Sequence, residues 1–80
     1  MNNATTTREE ALAKRLCADM AKLIGDAGTV LDAQAYEPAK GGGWAVVVDT
    51  EYAALKIFYK YRYSNVKLDK VPSGYAVCVR

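Results

Sequence analysis

The chain has 80 residues, 51% of them apolar and 25% charged, with a formal net charge of +2, two cysteines and no histidine. That profile describes a single ordinary globular domain over residues 1–80 and excludes a disordered, fibrous or disulfide-framed chain. The missing histidine removes the usual general base near neutral pH and the commonest metal ligand.

The polar start Met1-Asn2-Asn3-Ala4-Thr5 lacks the charged and then apolar pattern of a secretory signal. No apolar run in the chain approaches the roughly 18 residues of a membrane span. A cytoplasmic protein with residues 1–6 flexible is expected. Thr6 with Glu9, or Thr7 with Glu10, then matches the T-x-x-E capping box, in which a hydroxyl and a carboxylate satisfy unpaired backbone amides. Leu12, Ala13, Leu16, Cys17, Met20, Leu23 and Ile24 follow at spacings of three and four and make one apolar stripe. Gly25 and Gly28 suit a helix end, so the periodicity predicts a helix over 7–25, packed on one face of a sheet.

Thr29 to Tyr36 reads as a first strand with weak alternation. Glu37-Pro38-Ala39-Lys40-Gly41-Gly42-Gly43 reads as a flexible hairpin loop. Its glycines are not a phosphate cradle, because no Lys-Ser/Thr follows and the next segment, Trp44-Ala45-Val46-Val47-Val48, is a strand and not a helix. After Asp49-Thr50-Glu51, the stretch Leu55-Lys56-Ile57-Phe58-Tyr59-Lys60-Tyr61-Arg62-Tyr63 alternates bulky apolar residues with cations. It also fits a helix over Tyr52, Leu55, Phe58, Tyr59 and Arg62 with Asp49 or Thr50 as cap. The near-strict alternation and the Ile, Phe and Tyr content favour a strand. Ser64-Asn65 then serves as a two-residue hairpin that sets Tyr63 opposite Val66, Arg62 opposite Lys67 and Lys60 opposite Asp69. Pro72-Ser73-Gly74 turns the chain into Tyr75-Ala76-Val77-Cys78-Val79-Arg80, whose alternation groups Tyr75, Val77 and Val79. The expected fold class is α+β, with one N-terminal helix packed on an antiparallel meander sheet of four or five strands.

Cys17 and Cys78 are too few for a zinc motif, and without histidine to activate either sulfur they read as buried free thiols. No acidic cluster has metal-ligand spacing, so neither metal nor cofactor is expected. A catalytic reading has only lysine, arginine, tyrosine and carboxylates to draw on. Lys56, Lys60, Tyr61 and Arg62 can imitate the sheet-borne residues of small histidine-free ribonuclease toxins, but the helix-first order and the lack of a toxin signature rank this third.

The charge is unevenly spread: residues 1–51 carry −3 and residues 52–80 carry +5. An anionic partner is therefore expected on the second half. Lys56, Phe58, Lys60, Arg62 and Lys67 form the candidate binding face, with Arg62 against Lys67 as a repulsion that a bound anion would relieve. Tyr61 and Tyr63 join it as rim contacts, while Tyr59 is assigned to the core.

Taken whole, the single helix, the Gly41-Gly42-Gly43 hairpin, the Leu55 to Tyr63 strand and the lack of an enzyme motif resemble the small phage-borne anti-CRISPR proteins aimed at type I effector complexes. The resemblance covers the full length and carries no residue roles, since those proteins share no common motif. It implies a non-catalytic inhibitor in the bacterial host cytosol; a monomer is favoured, with the oligomeric state left open. Such an inhibitor docks on an RNA-guided surveillance complex and keeps target DNA from binding. The basic face would meet a protein or ribonucleoprotein with an anionic surface, or, as the alternative function, bind nucleic acid directly.

Overall fold

The N-terminal apolar stripe folds into helix α1, which spans Ala4–Ile24 in the computed structural model. The structure describes residues 4–80, and side chains from Arg8 onward. The expected flexibility of residues 1–6 falls partly on Met1, Asn2 and Asn3, outside the described residues. Because α1 is already running at Ala4, Thr6 and Thr7 lie inside the helix and not ahead of its first turn, contrary to the sequence reading. The helix ends where expected: Gly25 takes a left-handed φ of +53° and opens a single 3-10 turn, Gly25–Ala27.

Strands β1 (Val30–Ala35) and β2 (Trp44–Val48) form an antiparallel pair across the glycine-rich connection, which contains a second 3-10 turn at Pro38–Lys40. A register shift between Val30 and Asp32 leaves Leu31 outside the pairing and 48% exposed. The chain then departs from the sequence reading. Residues 51–60 are not a strand but a second helix, α2 (Glu51–Lys60), followed by a turn through Tyr61, Arg62 and Tyr63. Strands β3 (Val66–Val71) and β4 (Gly74–Val79) complete a four-stranded antiparallel sheet in the order β1-β2-β4-β3. The class is α+β. The hairpin that exists is β3–β4, turned at Pro72-Ser73, with Val66 opposite Val79 and Lys67 opposite Cys78. Ser64-Asn65 only links α2 to β3, so the Tyr63–Val66 register and the Arg62/Lys67 opposition do not form.

Why residues 51–60 are helical follows from two observations. Thr50 sits in extended backbone and its side-chain oxygen accepts from the Ala53 amide at 3.1 Å, an N-cap. Ala53, Ala54 and Ile57, spaced as one helical face, are each 0% exposed. They pack with Met20 and Ile24 of α1 against Val46 and Val48 of β2 and Val77 of β4. Alanine favours a helix over a strand, so Ala53 and Ala54 add local support to the packing. Both helices cover the same side of the sheet, on which cross-strand register also places Ala33, Leu68 and Tyr75. Cys17 and Cys78 are free, as expected, but half-exposed instead of buried in the core.

Candidate functional site

The residues expected to share a basic strand face are redistributed by the helix. Lys56 and Lys60 remain exposed on α2, and Arg62 lies in the turn that follows it. Phe58 is half-buried on the flank of the helix and meets Tyr59 edge-on, with ring centroids 6.2 Å apart. Tyr61 is not a rim contact: it packs against the core and meets Trp44 in a T-shaped pair at 5.1 Å. Lys67 alternates with Val66 and Leu68, which pack on the helix side, so it projects from the opposite face of the sheet, away from the α2 cations. Among the described residues Tyr63 is the most exposed of the large hydrophobic side chains, at 90%.

What α2 does bring together is a ridge of tyrosines and cations. Tyr52, Lys56 and Tyr59 follow at intervals of four and three and therefore share one side of the helix, directly opposite Ala53, Ala54 and Ile57. Tyr52 is 66% exposed and Tyr59 60%, and Tyr63 continues the series past the helix end. The Lys56 ammonium lies over the Tyr52 ring at 5.8 Å, and the Arg62 guanidinium over the Tyr63 ring at 4.6 Å. Arg62 also donates from Nη1 to the Tyr59 carbonyl at 2.7 Å, which places its charge at the C-terminal end of α2, where the helix dipole favours a cation. Among the described residues none of Lys56, Lys60 and Arg62 takes part in an ion pair, and Glu51 is the only acid on α2.

Sequence reasoning missed Tyr52 and assigned Tyr59 to the core. The signal was present: tyrosines seven residues apart with a lysine midway lie on one side of a helix, whereas a strand would split them between its two faces.

Elsewhere, Arg8 bridges Glu37 at 3.1 Å and Lys40 bridges Glu9 at 3.3 Å, tying the start of α1 to the β1–β2 connection. Glu9 thus reaches across the fold, where the sequence reading had it closing a capping box. Beyond this tie, a cleft of about 400 Å³ is lined by Tyr36, Lys40, Trp44, Cys78 and Arg80. Among the described residues no group of three or more histidine, cysteine, aspartate or glutamate side chains is placed to hold a metal ion, and no helix is long and apolar enough to cross a membrane.

Comparison with protein-family models, with curated proteins and with solved structures finds no match in any of the three.

Proposed function

We propose that the chain is a non-catalytic interaction protein that binds a macromolecular partner through the outer side of α2 and the turn after it, and blocks that partner. The observation that carries this reading is the exposed ridge of Tyr52, Lys56, Tyr59, Arg62 and Tyr63. Tyrosine and arginine are enriched among the residues that anchor interfaces, tyrosine because it buries much area for little conformational entropy and arginine because its planar fork of donors matches anionic groups. Three cations with one acid among residues 51–63 select a partner of negative potential.

Within that reading, the resemblance to small anti-CRISPR proteins makes a type I RNA-guided surveillance complex the first partner to test, in a cytosolic setting. Such an inhibitor would cover a nucleic-acid-facing part of the complex with α2 and keep target DNA out. The test is co-elution of the purified chain with the purified complex, combined with a target-DNA binding assay. A stoichiometric complex that no longer binds DNA, and that the Lys56→Glu, Lys60→Glu double variant fails to form, is the expected result. A chain that neither co-elutes nor affects DNA binding excludes this partner. Capture that survives the double charge reversal removes α2 from the interface.

A further inference from the structure

The ridge on α2 has a chemistry more specific than a positive patch. Its three exposed aromatic side chains are all tyrosines, and no purely hydrocarbon side chain stands exposed among them: Leu55 and Phe58 are half-buried on the flank. A protein-binding hot spot gathers its aromatics around a water-excluding apolar centre. This face has rings and cations without such a centre. The rings are also held in place. Lys56 lies over Tyr52, Phe58 meets Tyr59 edge-on and Arg62 covers Tyr63. Tyr52 and Tyr59 stand two helical turns apart, roughly 10 Å along the axis, with Lys56 between them.

Resting on the proposed binding role of α2, we propose that the ridge is a stacking platform for single-stranded RNA. Bases stack on Tyr52, Tyr59 and Tyr63, while Lys56, Lys60 and Arg62 contact the phosphates between them. Unpaired bases offer ring faces to ring faces, and a flexible phosphate backbone can follow cations spaced along a helix. A duplex hides its bases within the stack and offers this ridge phosphates alone. RNA is chosen over DNA because every exposed ring ends in a hydroxyl, and a ribose 2′-hydroxyl is a donor and an acceptor within reach of a stacked nucleotide's neighbours. Trp44 and Phe58, the aromatic residues without a hydroxyl, are partly covered by the fold, as are Tyr61 and Tyr75.

The experiment is fluorescence anisotropy with labelled oligo(U) of about 12 nucleotides, a length within single-strand site sizes. Oligo(dU) of the same length, duplex RNA and poly-glutamate are the comparison probes, at low and moderate salt. Oligo(U) is expected to bind more tightly than the other three. Tyr52→Ala, Tyr59→Ala and Tyr63→Ala are each expected to weaken it roughly 5- to 150-fold, the range of one lost base–aromatic stack. The corresponding Trp variants retain binding, and the Phe variants bring oligo(U) down to the level of oligo(dU). All these positions are exposed, so a circular-dichroism spectrum matching the parent separates lost binding from lost fold.

Equal binding of oligo(U) and oligo(dU) by the parent chain overturns the choice of RNA. Binding of duplex and poly-glutamate as tight as oligo(U), insensitive to the Ala variants, overturns stacking and leaves a purely electrostatic face. Lack of oligonucleotide binding at low salt, with co-elution on the surveillance complex intact, overturns this inference but not the broader binding role. Failure of both measurements overturns both.

Discussion

One hydroxyl, that of Thr50, does two jobs at the join between the halves of the molecule. Its oxygen accepts from the Ala53 amide at 3.1 Å and so caps α2, while its hydrogen goes to the Ala27 carbonyl at 2.6 Å in the turn after α1. Asp49 beside it accepts from the Thr29 amide at 2.7 Å through Oδ1. Gly28 lies between these contacts, and a Cβ there would stand 2.6 Å from Asp49 Oδ1 and 2.7 Å from Thr50 Oγ1. Removing the cap costs about 1–2 kcal/mol, and the part-buried Ala27 carbonyl loses its partner as well. Thr50→Ala is therefore expected to lower Tm by several degrees, at about 4–8 °C per kcal/mol for a domain of this size, while Thr50→Ser stays close to the parent. Gly28→Ala disturbs the same pair of oxygens, so the double variant should lose less than the two single losses combined. Urea unfolding of the four proteins measures the coupling, and strict additivity would mean that the two sites act separately.

At the scale of elements, α2 is where sequence periodicity and structure part company, and a pair of substitutions tests the placement. The strand reading puts Ile57 and Tyr59 on the same buried face. In the helix Ile57 is 0% exposed and Tyr59 60%. Ile57→Ala should cost about 2–5 kcal/mol through lost burial and a residual cavity. Tyr59→Ala should stay within about 0.5 kcal/mol, as surface substitutions do. Comparable losses from both, in denaturant titrations, would contradict the helical placement.

The same element shows what the sequence discloses and what it withholds. The seven-residue apolar stripe of α1, the Trp44–Val48 strand, the Pro72-Ser73 turn and the α+β class rest on local signals and are legible. The choice between helix and strand for 51–60 is settled by long-range contacts: the Thr50 hydroxyl reaching Ala27, and Ala53 and Ala54 joining one buried core with residues of α1 and the sheet. Alternation from Leu55 to Tyr63 is locally strong, and tertiary packing overrides it. The site follows the same logic. Lys56, Lys60, Arg62 and Tyr63 are recognisable as exposed, interaction-prone residues whichever element carries them. Their grouping depends on the element. A helix exchanges Phe58, Tyr61 and Lys67 for Tyr52 and Tyr59.

At the scale of the whole molecule, the order β1-β2-β4-β3 turns a division of the sequence into a division of space. The segment with net charge −3, residues 1–51, builds α1, β1, β2 and the first residue of α2, and the segment with +5 builds the rest of α2, β3 and β4. Since β2 and β4 are neighbours, the two halves of the chain lie side by side, and the Arg8–Glu37 and Lys40–Glu9 ion pairs fall in the negative half. The protein therefore presents a charge gradient across the sheet, which, under the proposed binding role, would orient α2 toward an anionic partner before contact. Such a field acts on encounter, whereas the tyrosine contacts form only after docking, and this separates their kinetic signatures. Lys60→Glu should slow association and weaken its dependence on ionic strength, with little change in the dissociation rate. Tyr59→Ala should leave association close to the parent rate and speed dissociation, because affinity changes within one interface fall mainly on koff. Surface-plasmon resonance with the immobilised partner at several salt concentrations reads both rates. If Lys60→Glu altered only dissociation, its ammonium would act as a local contact and the charge gradient would have no part in encounter.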